Sequence, residues 1–260
     1  MSIIRMAYFP IPAVHLGLTP IVRLAIQDKN VPRTKPTNAA RPPALLVSYV
    51  FLEPFLKRQT QYVYRDWALD SGAFSARNSG VVLSLDAYID TCQRLRATDP
   101  TLTEVFALDV IGDWRASHAN TEAMWKAGVE AIPCYHHGEP FDVLLGLARD
   151  YPKIAIGGIT ALRGEGKLAF IEQCFARVWP KKIHGFGIGS ESGVFRVPFH
   201  SVDATNWEIG PCKFGHWEKF GNLSVRGSKQ HLGTQITHYL DLEERARVRW
   251  AKEMKELDAL

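Results

Sequence analysis

The chain has 260 residues, of which 46% are hydrophobic, and its formal net charge is +4. This length and apolar content fit one large domain, and the mild basicity permits a polyanionic partner without requiring one. The four cysteines are scattered and form no CxxC pair, which disfavours a disulfide framework and a cysteine-rich zinc site. No apolar run approaches the roughly 18 residues of a membrane span, which disfavours a membrane protein. A cytoplasmic protein is expected.

The first part of the chain is irregular. Ile3 to Phe9 predicts a short strand, which Pro10 and Pro12 terminate. From about residue 28 to residue 43, proline and polar residues dominate without a periodic apolar face, which predicts an exposed loop. Its basic residues are candidates for phosphate contacts, although a solvated loop is the simpler interpretation. They are Lys29, Arg33, Lys35 and Arg41.

From residue 44 onward, short apolar runs alternate with segments of helical composition. The predicted strands are Ala44 to Val50, Trp67 to Leu69, Val105 to Leu108, Ala131 to Tyr135, Lys153 to Ile156, Ile183 to Phe186 and Phe199 to Val202. The predicted helices include Leu85 to Ala97, Ala116 to Ala127, Val143 to Arg149 and Leu168 to Val178. This alternation predicts a parallel sheet, and about eight units favour a closed (β/α)8 barrel of the TIM type over an open doubly wound sheet.

The sequence changes character beyond residue 203. Residues 211–230 mix aromatic and basic residues, which predicts a small hairpin that either contacts nucleic acid or is simply solvated. The basic candidates in it are Lys213, Lys219, Arg226 and Lys229. Residues 234–260 predict a charged helix that closes the barrel or supports the hairpin. Its candidate packing positions are Leu240, Ala246, Trp250 and Met254, and residues 1–260 are expected to form one domain.

Polar residues and glycines recur at the predicted carboxyl ends of the strands, where barrel enzymes place their chemistry. They are Asp70, Asp109 with Asp113, His136 with His137, Gly157 with Gly158, Gly187 with Gly189, and Asp203. Two carboxylates beside a sugar C1 allow one to attack while the other manages the proton of the leaving base. Alternatively, the aspartates and the two histidines hold a divalent metal, although neither HxH nor HExxH occurs.

The sequence DSGAFS, which begins at Asp70, is ordinary turn chemistry when taken alone. It also resembles the DSGGFQ motif of the tRNA-guanine transglycosylase superfamily, with Ala73 and Ser75 replacing glycine and glutamine. Five later motifs follow in that family's order: ALDVIGD, PCYHHG, AIGGI, GFGIG and HSVDATNW. The stretch GHWEKFGNLSVRGSKQ is similar to the family's segment after the nucleophile. The resemblance implies a barrel enzyme that exchanges guanine for a 7-deazaguanine base.

The resemblance also implies a role for each matching residue. Asp203 matches the aspartate that attacks C1′ and forms a covalent glycosyl intermediate, and Asp70 matches the one that helps bind the base and deprotonates the incoming base. Asp109 matches the residue that recognises the Watson–Crick edge, and His136 stands where the family usually has glutamine. Further base contacts are expected from Ser71, Gly72, Phe74, Gly157, Gly158 and Gly187, with Phe74 equally compatible with a core position.

One departure from the family narrows the expected substrate. Members that act on tRNA carry a zinc site of three cysteines and a histidine after the barrel, whereas only Cys212 follows Asp203 here. No metal and no other cofactor is therefore expected. The compact chain looks most like zinc-less bacteriophage members, which place a 7-deazaguanine such as preQ0 in DNA and so evade restriction. The expected partners are DNA and the free base. A tRNA substrate, a metal-dependent barrel hydrolase and a non-catalytic nucleic-acid-binding relative stay open as alternatives.

Overall fold

The computed structural model describes residues 20–26, 41–205, 217–220, 223–226 and 232–259. Eight parallel strands form one sheet in the order β4-β3-β2-β1-β8-β7-β6-β5. Phe106, just beyond β4, forms a parallel bridge with Ile132, just before β5, and this bridge joins the two outer strands. The predicted closed (β/α)8 barrel is therefore confirmed. The strands are β1 (Ile21–Ile26), β2 (Ala44–Ser48), β3 (Trp67–Asp70), β4 (Leu102–Val105), β5 (Cys134–His136), β6 (Lys153–Gly157), β7 (Lys182–Gly185) and β8 (Ser201–Ala204).

Helices follow most of the strands and cover the outside of the barrel. Side chains cap the helices that begin at Leu85 and Trp114: Ser84 Oγ accepts the N–H of Ala87, and Asp113 Oδ1 accepts the N–H of Arg115. The helices are α1 (Leu52–Leu56), α2 (Ala73–Ser79), α3 (Leu85–Thr98), α4 (Trp114–Lys126), α5 (Phe141–Asp150), α6 (Gly164–Val178), α7 (Glu191–Val194), α8 (Leu232–Arg249) and α9 (Ala251–Asp258). The four predicted helices correspond to α3 to α6.

One strand was missed, two predicted strand ends need correction, and one predicted strand is untested. The strand predicted at Ile3 to Phe9 lies outside the described residues, and the strand between β2 and β8 is Ile21–Ile26, which was missed because Arg23 interrupts its apolar run. Strand β4 ends at Val105, before the predicted end, so Asp109 lies in the loop that follows. Strand β5 extends through His136, so this residue belongs to the strand and not to the turn after it.

The strands are buried on both faces, because helices cover the outside and side chains fill the inside. The inner apolar layer contains three alanines, and these leave space for the larger rings of Phe106, Phe186 and His184, whose centroids lie 4.7 Å apart in each pair. The inner layer consists of Ala25, Leu46, Ala68, Phe106, Ile132, Cys134 and Ala155. The barrel interior is therefore a packed core and not a channel.

A buried ion cluster, made of Arg23, Asp66, Glu104 and Lys153, lies inside the barrel toward the amino-terminal ends of the strands. Arg23 Nη1 is 2.5 Å from Asp66 Oδ1, and its Nη2 is 3.1 Å from Glu104 Oε2. Lys153 Nζ donates to Glu104 Oε1 at 2.5 Å. Burial alone would raise the pKa of Glu104, but Lys153 and Arg23 hold that pKa well below its ordinary value. Two cations and two anions thus balance in the interior.

The predicted carboxyl-terminal helix is divided at Trp250 into α8 and α9, and its four predicted packing residues are all buried, which confirms them. Glu243 on α8 accepts the N–H of Val22 at 2.8 Å and pairs with Arg65 at 3.0 Å, which attaches the helix to β1. Arg41, from the predicted loop, donates to Leu240 O at 2.7 Å, so this residue also contacts α8. Residues 28–40 of that loop lie outside the described residues.

The predicted hairpin is present as strands β9 (Trp217–Phe220) and β10 (Leu223–Arg226), which pair in antiparallel fashion. Within the described parts of the chain, no helix combines the length and apolar character needed to cross a membrane. Three cysteines are buried free thiols, and the fourth, Cys212, lies outside the described residues. The three are Cys92, Cys134 and Cys174.

Candidate active site

Asp70 ends β3 and begins the turn into α2. The N–H of Gly72 donates to Asp70 Oδ2 at 3.1 Å. Gly72 has φ +73°, and a Cβ at this position would lie 2.6 Å from Ser48 Oγ, so the turn requires glycine. Burial, followed by the charges of Asp109 and Asp203, raises the pKa of Asp70 to about 7, against the opposing backbone N–H groups. Asp70 therefore exists in both protonation states near neutral pH.

Asp203 lies on β8 and is almost completely buried. Its Oδ1 accepts the N–H of Gly187 at 2.8 Å and faces His184 Nε2 at 3.5 Å. The carbonyl of Gly187 in turn accepts a hydrogen bond from Lys167 Nζ at 2.9 Å. Because the charge of Asp203 acts on Asp70, and both follow the strands to the same end of the barrel, the two carboxylates lie at one barrel mouth.

A second polar cluster is formed by Asp109, Cys134, His136 and Glu139. His136 Nε2 lies 3.3 Å from Asp109 Oδ2, and its Nδ1 lies 3.1 Å from Glu139 Oε1. Cys134, then Asp109 and Glu139, raise the pKa of His136. Burial raises the pKa of the Cys134 thiol to about 11, so this thiol is protonated at neutral pH, and the two carboxylates are the charges that keep His136 an imidazolium. Burial also raises the pKa of Asp109, although His136 opposes this shift.

Three residues of this cluster also form a possible metal-donor set. One donor atom from each of Asp109, Cys134 and His136 lies within 4.8 Å of the others, the only such group among the residues that the structure describes. Cys134 and His136 alternate on β5 and so point to the same face. His137, the second histidine of the metal alternative, is not part of this group, and its ring packs against Phe170, with centroids 4.9 Å apart. The C-x-H spacing on a strand was the sequence signal for Cys134.

The remaining predicted base contacts have varied surroundings. Ser71 is buried, whereas the Phe74 side chain is 55% exposed on α2 and is not a core residue. A Cβ on Gly157 would lie 2.9 Å from Cys134 Sγ, and one on Gly158 would lie 3.0 Å from His136 Cβ. These two glycines therefore make space for the second polar cluster. Gly187 uses its N–H to hold Asp203, a role that the sequence did not predict for it.

The predicted nucleic-acid contacts lie only partly within the described residues. Lys219 is on β9 opposite Ser224, and Arg226 is on β10 opposite Trp217. The other two predicted contacts, Lys213 and Lys229, lie outside the described residues. Two of the four basic residues thus lie on the described hairpin, and their contacts with nucleic acid stay a prediction.

Other features were not predicted from the sequence. The buried residues His184, Ser201 and Lys153 lie next to Asp203 or connect it to the ion cluster, and nothing in their local sequence indicates this. A groove of about 400 Å³ lies at the carboxyl end of α6, between Trp179 and Trp250. Neither Asp70 nor Asp203 lines it. We place the candidate active site at Asp70 and Asp203, because the ionisable groups converge there.

Comparisons with known proteins identify no family. No protein-family model matches the sequence, and no curated protein matches it either. Among solved structures, the chain resembles a putative fructose-1,6-biphosphate aldolase from Coccidioides immitis, with 11% identity, a TM-score of 0.49 and coverage of 92% of this chain and 92% of that chain. It also resembles the tryptophan synthase alpha chain from Legionella pneumophila subsp. pneumophila, with 10% identity, a TM-score of 0.46 and coverage of 86% and 92%. Neither is named as a transglycosylase, and likeness at this level does not bear on the reaction.

Proposed function

We propose that this protein replaces guanine in DNA by a 7-deazaguanine base through a covalent aspartyl-glycosyl intermediate. The observation that carries the proposal is a pair of carboxylates at one barrel mouth in two different environments. Asp203 is fixed by a backbone N–H at 2.8 Å, as suits a nucleophile that must be oriented. Asp70, with a pKa raised to about 7, changes its protonation state under the conditions of the reaction, as suits an acid–base residue.

The two carboxylates divide the reaction between them. Asp203 forms a bond to C1′ of the target nucleoside while the bond from C1′ to N9 breaks, and the neutral form of Asp70 gives its proton to the departing guanine. The Asp70 carboxylate then takes the N9 proton of the incoming 7-deazaguanine, whose nitrogen attacks C1′ and releases Asp203 as a carboxylate. In the first half, Asp70 gives up a proton and Asp203 donates an electron pair to C1′. In the second half, Asp70 regains a proton and Asp203 recovers the electron pair, so both residues return to their starting states.

The second polar cluster supports recognition of a guanine-type base. Asp109 and Glu139 offer carboxylate oxygens, and the adjacent N–H groups of guanine are donors that such oxygens accept. Substrates of this class have to leave the DNA stack before they reach the barrel mouth, which costs a few kcal/mol. Arg77 and Arg115, exposed cations on the helices that follow β3 and β4, are the proposed phosphate contacts, and the exposed ring of Phe74 is the proposed stacking surface for a base.

The test is an exchange assay with guanine-containing duplex DNA and with tRNA, each supplied with a labelled 7-deazaguanine base. Wild-type protein should label the DNA and form an adduct that survives denaturation. Asp203→Ala should do neither. Asp70→Asn should retain some adduct formation, slowed because the departing guanine loses its proton donor, and should lose turnover because no carboxylate remains to deprotonate the incoming base. Asp113→Asn is a matched control, because this carboxylate caps α4 and takes no part in the proposed chemistry. Full exchange by Asp203→Ala would contradict the proposal, and labelling of tRNA alone would favour the tRNA-directed alternative.

A second candidate function, a metal-dependent barrel hydrolase, is favoured by the donor set of Asp109, Cys134 and His136. The Glu139 carboxylate on the far nitrogen of His136 resembles the outer support that metal-bound histidines commonly have. Metal analysis of the purified protein separates the two functions. Stoichiometric zinc that is lost in Cys134→Ser, together with activity that a chelator abolishes, would support the hydrolase. Base exchange that is insensitive to chelator would exclude it.

A further inference from the structure

His184 is a completely buried polar residue beside the candidate nucleophile. Its ring packs between Phe106 and Phe186, with centroids 4.7 Å away in both cases. Its Nδ1 lies 2.9 Å from Ser201 Oγ. Its Nε2 has no hydrogen-bond partner nearer than Asp203 Oδ1 at 3.5 Å within the described part of the chain. Because buried imidazole nitrogens seldom lack a hydrogen-bond partner, the orientation of His184 Nε2 toward Asp203 needs a physical explanation.

The hydrogen bonds of Lys153 determine the tautomer of His184. Lys153 Nζ meets three acceptors: Glu104 Oε1 at 2.5 Å, His200 Nδ1 at 3.0 Å and Ser201 Oγ at 2.9 Å. An ammonium group has three protons and accepts nothing, so each contact uses one proton and Ser201 Oγ is an acceptor. Among the described residues Ser201 Oγ has two hydrogen-bonding neighbours, Lys153 Nζ and His184 Nδ1. Since Lys153 can only donate, the single hydroxyl proton of Ser201 finds an acceptor only at His184 Nδ1. Since Nδ1 accepts, the proton of the neutral ring is on Nε2 and faces Asp203.

We infer that His184 is a positioning residue, which donates from Nε2 to Asp203 Oδ1 and so presents Oδ2 as the attacking oxygen. This inference rests on the proposed function. Both donors that reach the carboxylate, the Gly187 N–H at 2.8 Å and His184 Nε2, meet the same oxygen, Oδ1. The contact of 3.5 Å is long for a hydrogen bond, as is common in a resting site, and we expect it to shorten when the substrate binds. The same donor stabilises Asp203 when it leaves in the second half of the reaction.

The surroundings keep His184 neutral. Burial is the largest influence and lowers the pKa of His184, and Lys153 lowers it further, whereas Asp203 and Glu104 raise it. His200, the other histidine on Lys153, is itself held neutral by burial and by the same ammonium, which lower its pKa. The ring is therefore a fixed donor across the neutral range and not a proton shuttle.

The first test compares two substitutions of His184 in the exchange assay. His184→Phe fills the space between the two aromatic rings but has no donor, so its kcat should fall about 10-fold to 100-fold while KM for the free base is unchanged. His184→Gln keeps an acceptor for Ser201 and a donor for Asp203, and it should recover most of the rate. Exchange at the wild-type rate by His184→Phe would overturn the positioning role, and so would a change confined to KM.

The second test does not depend on the reaction. In the intact protein with ¹⁵N-labelled histidine, the ring nitrogens of His184 should report a neutral imidazole with its proton on Nε2 from pH 5 to pH 8. The Nε2–H resonance should move in Asp203→Asn, and the single tautomer should be lost in Ser201→Ala. A proton on Nδ1 would overturn the inference even in an active enzyme. If the wild-type protein exchanges no base, the proposed function fails, and an Nε2–H resonance that responds to Asp203→Asn still establishes the contact.

Discussion

Asp70→Asn is expected to stabilise the folded protein, and to do so increasingly as the pH rises from the ordinary pKa of the carboxyl to its raised pKa in the fold. The pKa of Asp70 rises from its ordinary value of 3.8 to about 7 because the side chain is partly removed from water and lies beside Asp109 and Asp203. A carboxyl with a raised pKa binds more protons in the folded state than in the unfolded state. The free energy of unfolding therefore falls as the pH rises through this interval. Asparagine has no charge to bury and escapes this loss.

The size of the effect follows from the interval between the two pKa values. From 3.8 to about 7 is about three pH units, and each is worth 1.36 kcal/mol, so the ionised Asp70 destabilises the fold by up to about 4 kcal/mol above pH 7. Asp70 is partly accessible at the barrel mouth, and water there makes this figure an upper bound. Below pH 3.8 the wild-type carboxyl is neutral in both states, and the penalty is absent.

Urea unfolding of both proteins at intervals from pH 4 to pH 8 measures the difference directly, because urea does not screen charges as guanidinium does. The advantage of Asp70→Asn should increase with pH up to about 7 and then remain constant. Introducing Asp203→Asn into both backgrounds should reduce the pH-dependent part, since it removes one of the neighbouring charges. A stability difference that is the same at pH 4 and pH 8 would refute the reasoning about Asp70.

Two further stability predictions concern the barrel interior and the Asp70 turn. Glu104→Gln leaves Arg23 and Lys153 without their shared anion, and it should lower the free energy of unfolding by about 3–5 kcal/mol in urea at pH 7; a loss below 1 kcal/mol would contradict a buried ion cluster. Because the pKa of Glu104 is lowered, this loss should shrink as the pH falls below the ordinary value of 4.5. Gly72→Ala and Gly80→Ala both place alanine at positive φ, at +73° and +72°, but only the Cβ at position 72 would meet neighbouring atoms. Gly80→Ala should therefore lower the free energy of unfolding by about 1–2 kcal/mol, and Gly72→Ala should lower it clearly more. Equal losses in the two alanine variants would show that the turn has room for a side chain.

The fold could be predicted from the sequence because the repeated pattern of strand, turn and helix is local. Seven apolar runs from Ala44 onward overlap β2 to β8, and their number and order indicated a barrel. Strand β1 was not predicted, because Arg23 stands in its centre and a buried arginine is rare without partners. Its partners, Asp66 and Glu104, are more than 40 residues away, and local pattern does not reveal contacts at that separation.

The residues of the candidate site that lie at the ends of strands could be predicted from the sequence. Asp70 and Asp203 were predicted to share one barrel mouth, and the structure brings them close enough for their charges to interact. Cys134 and His184 were not predicted, because each occupies a strand position that looks like ordinary core. Their significance depends on neighbours from other strands, which only the closed barrel brings together.

The barrel interior therefore has three layers with one polar connection between them. The ion cluster lies toward the amino-terminal ends, the apolar layer fills the centre, and the carboxylates lie at the mouth. Lys153, Ser201 and His184 cross the apolar layer and link Glu104 to Asp203. Of these three linking residues only Lys153 carries a formal charge, and its protons fix the direction of the hydrogen bonds at Ser201 and His184. If His184 positions Asp203 as we infer, a cation buried away from the mouth thus sets the tautomer of the histidine that faces the candidate nucleophile.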